Sequence, residues 1–208
     1  MSQRKKKPAY NPRKLARERL QKLMGSIIYV QDMFTIESGK IAGKIDNDLK
    51  AIEGTTELDG YKREQLERTK RAFLGLIAQV STGLTKIIQE ADATTGNLYD
   101  DLKIKPWKEN KEAAFAAELA LEHYSTLAAI EGQNYTGTII DIMEDHFRNV
   151  EFVSREIKAG ASLEQAKQRL ADNIAKEAEL AQKEAALATQ EVPGGESVVE
   201  TKEESHVQ

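Results

Sequence analysis

The chain has 208 residues, of which 31% are charged and only 6% aromatic, and it contains no cysteine. The lack of cysteine excludes disulfides, zinc–thiolate sites and thiol nucleophiles, and no apolar run approaches the ~20 residues needed to span a bilayer. We therefore expect a cytoplasmic protein with no membrane partner, built from helices that each carry one apolar stripe.

The net charge of −4 conceals a strongly basic N-terminal segment. Residues 1–25 carry nine basic side chains and one acidic side chain, a net charge of +8, so the remainder carries −12. Flexible basic side chains suit phosphate contacts, because the electrostatic attraction tolerates loose geometry and gains from counterion release. We predict that nucleic acid, as duplex DNA, is bound by Arg4, Lys5, Lys6, Lys7, Arg13, Lys14, Arg17, Arg19 and Lys22. An acidic protein partner and a solubilising role are the alternatives.

The basic segment consists of an arm and the start of a helix. Residues 1–11 are polar and lack hydrophobic periodicity, so we expect them to be disordered. Asn11-Pro12 predicts a helix start, because asparagine caps well and proline at the first helical position has the required φ. Apolar spacing predicts helices over 12–37 and 41–53, interrupted at Ser38-Gly39. The basic side chains surround more than one helix face, which favours phosphate contacts over base reading.

The clearest element is a long helix predicted over 61–93. Its apolar residues recur every three, four or seven positions, which is typical of a heptad seam. The seam consists of Leu66, Phe73, Ile77, Val80, Leu84 and Ile87. Gly75 and Gly83 lie inside this helix, and each costs roughly 1 kcal/mol against alanine, so we expect a closely packed neighbour. We predict that the seam mediates homo-oligomerisation; an ordinary helix of the intramolecular core is the alternative.

The second half of the chain also has helical periodicity. Residues 97–107 are predicted to form an irregular connection, and a C-terminal helical part follows over 107–188. Glycines predict a break at Gly132–Gly137 and a helix end at Gly160. The pair Ser162 and Gln165 then has the spacing of a capping box that opens the final helix.

Residues 189–208 are acidic and poor in core-forming side chains, so we expect a disordered tail. No stretch has the alternation of a strand. The predicted fold class is all-α: an elongated helical bundle with long antiparallel helices, flanked by the basic arm and the acidic tail. Its two helical parts, 12–95 and 107–188, belong either to separate regions or to one bundle.

The sequence predicts no catalytic residue, no metal site and no cofactor, and we expect that the protein is not an enzyme. Acidic residues surround His123 and His146, but Ala120 and Met143 occupy the positions where a metal-binding bundle needs glutamate. No serine lies in a nucleophile elbow. The stretch Pro193-Gly194-Gly195 lacks the lysine and the flanking strand of a phosphate loop.

This layout resembles the small terminase subunits of tailed bacteriophages. Three stretches carry the resemblance: MSQRKKKPAYNPRKLARERL, the helix YKREQLERTKRAFLGLIAQVSTGLTKIIQ, and the charged tail from Gln190. The resemblance implies a ring-forming oligomer that binds viral DNA and loads a motor subunit, in which the ATPase and nuclease chemistry resides. A virion structural or scaffold-type protein is one alternative. A helical adaptor or regulator that binds a partner helix is the other.

Overall fold

The computed structural model describes residues 10–190, with side chains as far as Leu187. Within this range the chain forms five helices and no strand: α1 (Pro12–Ala51), α2 (Glu57–Thr95), α3 (Leu98–Ile104), α4 (Trp107–Lys158) and α5 (Leu163–Gln190). The all-α prediction is confirmed. Most of the predicted arm and tail, residues 1–9 and 191–208, lies outside the described range.

Packing divides the chain into two compact units, Met1–Glu151 and Phe152–Gln208. In the second unit, Gly160 ends α4 with a φ of 97°, a left-handed conformation that glycine adopts without steric cost. Ser162 then caps α5. The Gln165 amide donates to Ser162 Oγ at 3.3 Å, and the Ser162 amide donates to Gln165 Oε1 at 3.1 Å, so the predicted capping box is confirmed.

The long helices of the first unit begin at well-formed caps. Asn11 Oδ1 accepts a hydrogen bond from the Lys14 amide at 3.2 Å. At the start of α2, Thr56 and Asp59 cap each other reciprocally, with both N–H···O distances at 3.1 Å. The hydrogen bonds from Thr56 hold the pKa of the Asp59 carboxyl below its usual value. Caps of this kind stabilise a helix by about 1 kcal/mol each.

Two predicted interruptions are wrong, because α1 continues through Ser38-Gly39 and α4 continues through Gly132–Gly137. Ser38 is buried, and its hydroxyl donates to the Thr35 carbonyl at 3.2 Å, which satisfies it inside the helix. Tyr135, in the middle of the second stretch, is buried in the core. A helical glycine costs about 1 kcal/mol, which is less than the roughly 1.5–3 kcal/mol gained by burying a large apolar side chain.

The helix α2 runs antiparallel to both α1 and α4. Residues 52–56 join α1 to α2 as a hairpin. Residue numbers in α4 decrease as those in α2 increase. Thr69 Oγ1 lies 3.1 Å from His146 Nδ1, whereas Gly83, further along α2, lies beside Glu131. The predicted long antiparallel helices are thus present in the first unit.

The helices α1 and α4 run parallel. Ser26 Oγ lies 2.9 Å from Ser125 Oγ. Between two and three turns further along both helices, the Phe34 ring contacts the Tyr135 ring, so residue numbers increase in the same direction in both helices. A shared direction requires a return element between them, and α2 with the short α3 provides it. The first unit is therefore a three-helix bundle in which only the α1–α4 pair is parallel.

Three aromatic rings, one from each long helix, meet in the core. The ring centroids of Phe34 and Tyr135 are 5.0 Å apart at an interplanar angle of 84°, and those of Phe73 and Tyr135 are 6.5 Å apart at 42°. The first pair is edge-to-face, an arrangement that is favourable at this distance, and the second pair is tilted. The Tyr135 hydroxyl is buried and has no hydrogen-bond partner among residues 10–190, and burial raises the pKa of this phenol.

The predicted oligomerisation seam lies in this core. Five of its six residues are between 0 and 8% exposed, and Ile77 packs partly buried against them. This placement is what the intramolecular alternative predicts, since another chain could not reach Phe73 or Leu84 without opening the bundle. The role of the seam in oligomerisation stays a prediction.

The seam glycines differ in their surroundings. A Cβ added to Gly83 would lie 3.5 Å from the carboxyl carbon of Glu131, whereas a Cβ added to Gly75 would meet open space. The distance at Gly83 is an ordinary van der Waals contact with a flexible side chain, so a closely packed neighbour requires glycine at neither position.

One helical stretch, Glu57–Ile104, is long and apolar enough to cross a membrane by length and composition alone. The same stretch contributes Phe73 and Leu84 to the core of the first unit. Of the apolar window itself, 22% is buried.

We expect Tyr135→Phe to raise the free energy of unfolding by about 1 kcal/mol, because it removes a buried hydroxyl without a partner. In contrast, Tyr135→Ala should lower it by about 3–5 kcal/mol, since it takes one of the three rings out of the core. Urea titrations followed by circular dichroism at 222 nm measure both changes. A loss of more than about 1 kcal/mol in Tyr135→Phe would show that the hydroxyl has a partner.

We expect Leu84→Glu to abolish cooperative unfolding, because it places a carboxylate at a position with no solvent exposure. The matched control is Leu74→Glu on the same helix, whose side chain is 47% exposed and which should retain the helical signal. A folded Leu84→Glu variant with a reduced oligomer mass would instead support the seam as an interface between chains.

Candidate nucleic-acid interface

The start of α1 is fixed against the corner between α3 and α4. Leu102 of α3 is buried in the same core as α1, and Arg13 Nη1 donates to the Lys105 carbonyl at 3.1 Å. Lys105 is the C-cap of α3, and its carbonyl has no partner within that helix. The helix α3 occupies the region 97–107, for which an irregular connection is predicted, and it brings Lys103 beside α1.

A polar cleft of 270 Å³ lies between these elements. Its lining residues are Asn11, Arg13, Lys14, Arg17, Leu102 and Lys103. Four of the six carry a positive charge. The Nε atom of Arg17 is buried and has no hydrogen-bond partner among the residues that the structure describes. We name this feature the basic cleft.

The charges around the basic cleft are only partly compensated. Lys103 Nζ lies 2.7 Å from Asp100 Oδ1, and this hydrogen bond lowers the pKa of the Asp100 carboxyl. Lys14 pairs only loosely with Glu18, at 3.8 Å. The bond from Arg13 goes to a carbonyl, which orients the guanidinium without neutralising it. The basic cleft therefore keeps an excess of positive charge.

The backbone adds to this positive potential. The helix α1 has 40 residues and no acidic side chain in its first turn. Its dipole leaves a partial positive charge at Pro12 and the residues that follow. Backbone and side chains thus favour an anion at the same place.

The nine predicted nucleic-acid-binding residues fall into three groups. Arg13, Lys14 and Arg17 come together in the basic cleft. Arg19 turns instead towards α4, where Nη1 lies 3.2 Å from Glu118 Oε1, and Lys22 is exposed one turn further on. The remaining four predicted residues, Arg4, Lys5, Lys6 and Lys7, lie outside the described residues.

Sequence reasoning missed Lys103. The sequence gives little sign of it, since Lys103 lies 86 positions after Arg17, in a short helix that also contains Asp100 and Asp101. The contact between Arg13 and Lys105, which are 92 positions apart, shows how the two segments come together.

A second polar cavity, of 190 Å³, surrounds His146 on α4. Thr69 donates its hydroxyl proton to the Gln65 carbonyl at 2.9 Å, so the 3.1 Å contact with His146 Nδ1 has the imidazole N–H as donor. Desolvation by burial lowers the pKa of His146, opposed by the Gln65 carbonyl and by Asp48. Across residues 10–190, no three His, Asp or Glu side chains are grouped to hold a metal ion.

We expect the bundle to lose stability as the pH falls below about 6.5, the usual pKa of histidine. The folded-state pKa of His146 is lowered, so protons bind the unfolded chain first, and acidification favours unfolding until the folded pKa is passed. Urea titrations at pH 7.5 and 5.5 compare wild type with His146→Gln, which should show a smaller loss. His123→Gln, at an exposed position, is the matched control and should keep the wild-type loss. An equal loss in wild type and His146→Gln would remove His146 as its source.

Comparison of the chain with protein-family models, with curated proteins and with solved structures finds no match. The resemblance to small terminase subunits therefore stays a prediction from the layout of the sequence.

Proposed function

We propose that this protein is a non-enzymatic, DNA-binding component of a larger assembly, and that it holds duplex DNA by the phosphate backbone. The observation that carries the proposal is the basic cleft, in which Arg13, Lys14, Arg17 and Lys103 surround the positive end of α1. Arg17 lines the same cleft, and a guanidinium group is a strong hydrogen-bond donor to phosphate oxygens.

The arrangement favours phosphate contacts over base reading. The cationic side chains come from two elements, α1 and α3, and converge on a cleft, whereas base reading needs a row of side chains along one projecting helix face. The four basic residues of positions 4–7 closely precede Asn11 in sequence. They add charge near the start of α1 in the sequence, which strengthens binding to any DNA sequence and steepens its salt dependence.

The wider role is the one implied by the resemblance: an oligomer that binds viral DNA and loads a packaging motor, in the host cytoplasm. A virion structural or scaffold-type protein is compatible with the same basic cleft, because packaged nucleic acid presents the same phosphates. An adaptor that binds a partner helix would need no phosphate contacts. The DNA-binding measurement therefore separates the adaptor from the other two.

We expect the triple variant Arg13→Gln, Lys14→Gln and Arg17→Gln to weaken duplex DNA binding at least ~10-fold at moderate salt. The slope of log Kobs against log salt should become shallower by about 0.9 for each phosphate that is no longer neutralised. Fluorescence anisotropy with two unrelated duplexes measures both, and the decrease should be equal for the two sequences. A deletion of residues 1–22 is unsuitable, because it would remove the buried Ala16 and Leu20.

The matched control is Lys40→Gln, Lys44→Gln and Lys50→Gln. These exposed residues lie in the other half of α1, so the change in net charge is the same while the basic cleft is intact. Circular dichroism confirms that both triple variants are folded. If the two variants bind DNA equally well, charge at the basic cleft is not the binding determinant and the proposal fails.

A further inference from the structure

The exposed apolar side chains of the first unit are concentrated on two of its three long helices. Five large apolar side chains of α1 and five of α4 are more than a third exposed, whereas α2 has one, Leu74. The largest exposed fractions in these helices are 63% for Tyr29 and 64% for Phe115. Exposed apolar side chains gathered on one side of a bundle mark a contact surface.

Five of these ten side chains border the groove between the parallel helices α1 and α4, which we call the α1–α4 groove. One apolar cleft, of 260 Å³, includes Leu15 and Phe115 near the helix starts. A second, of 620 Å³, includes Tyr29, Met33 and Ile140 further along.

The floor of the α1–α4 groove is closed. The Ser26 and Ser125 hydroxyls lie 2.9 Å apart, and a Cβ added to Gly132 would lie 3.5 Å from Val30 Cγ1. Because α1 and α4 are already in contact, the groove is shallow, and there is no space between the two helices for another side chain. Its apolar side chains can be covered only from outside.

Arg19 of α1 and Glu118 of α4 line the first cleft and pair with each other at 3.2 Å. About one turn further along, the exposed Lys22 lies on α1 and the exposed Glu122 lies on α4. The two helices therefore present opposite charges at the same level of the groove. A covering surface must present the reverse order, negative opposite α1 and positive opposite α4.

We propose that a second copy of this chain covers the α1–α4 groove, related to the first by a two-fold axis that runs along the groove. This axis places α1 of each chain opposite α4 of the other at the same level. Lys22 then faces Glu122 of the partner subunit, and each apolar cleft meets its own equivalent.

The charge order decides between the possible axes. A perpendicular axis that also joined the apolar clefts would bring Lys22 close to the partner's Lys22 and Glu122 close to the partner's Glu122. Like charges opposed in this way cost interaction energy. Only the axis along the groove joins the apolar clefts and pairs opposite charges together.

The size of the groove suits a stable dimer. From Phe115 to Ile140 it is about 38 Å long at 1.5 Å per residue, and two packed helices are roughly 18 Å wide. That is on the order of 700 Å² per chain, close to the about 800 Å² per partner of a standard interface. The core seam of α2 offers no such surface, since its side chains are buried in one chain.

Light scattering of the full chain in solution tests the proposal. We expect a mass twice the 23.2 kDa of one chain. The double variant Tyr29→Glu and Ile140→Glu should raise the dissociation constant at least ~100-fold, because each dimer would bury uncompensated carboxylates. Leu74→Glu is the matched control on α2 and should keep the wild-type mass. A monomeric wild type, or a double variant that keeps the wild-type mass while folded, overturns the proposal.

Disulfide cross-linking tests the axis, since the chain has no cysteine of its own. Met33 and Gln133 line the same cleft from opposite helices. Chains carrying Met33→Cys, mixed with tagged chains carrying Gln133→Cys, should form a mixed disulfide dimer under oxidation. A perpendicular axis would instead give self-linked Lys22→Cys dimers and no Met33–Gln133 product, which overturns the proposed axis.

This dimer rests on the proposed function in one respect: it would be the interface through which the DNA-binding protein assembles. The mass and cross-linking measurements use no nucleic acid. DNA binding can therefore fail while the dimer forms, or succeed in a monomer, and the two proposals are separated.

Discussion

The Tyr135 ring of α4 contacts Phe34 of α1 and Phe73 of α2, and these two contacts fix how far α1 and α2 are displaced along α4. The other contacts between these helices depend on this relative position. It sets Ser26 against Ser125, and it brings the start of α1 level with α3. If α1 were displaced by one turn, about 5.4 Å, Arg13 would no longer reach the Lys105 carbonyl and the residues of the basic cleft would separate. The core thus positions a site that it does not touch.

The sequence predicts the helical class and the local helix ends well, because both depend on nearby residues. The start at Pro12, the capping box at Ser162 and the end at Gly160 follow from the chemistry of a few neighbours. The helix through Tyr135 could not be predicted in this way. Its two flanking glycines indicate a break locally, and only the aromatic contact with α1, a hundred positions away, makes the helix the favoured state.

For the candidate site, too, the sequence predicts the local features and not the long-range contacts. Basic residue types and their position at the N-terminus could be predicted, since charge is visible in the sequence. Which of them share a cleft could not, because Arg17 and Arg19 differ by two positions yet turn towards α3 and α4 respectively. The helical period separates neighbours in sequence onto different faces. Consequently α1 serves two surfaces, and a phosphate at the basic cleft leaves the α1–α4 groove accessible.

The parallel pairing of α1 and α4 has a consequence for synthesis. Contacts such as Ser26–Ser125 span 99 positions, so α1 leaves the ribosome long before the helix that covers one of its sides. The α1–α2 hairpin can form first, but it leaves one side of Phe34 uncovered until Tyr135 has emerged. Long-range contacts of this kind slow folding and leave apolar surface open to other nascent chains. Neighbouring ribosomes on one message would hold such surfaces close together while copies of the chain are being made.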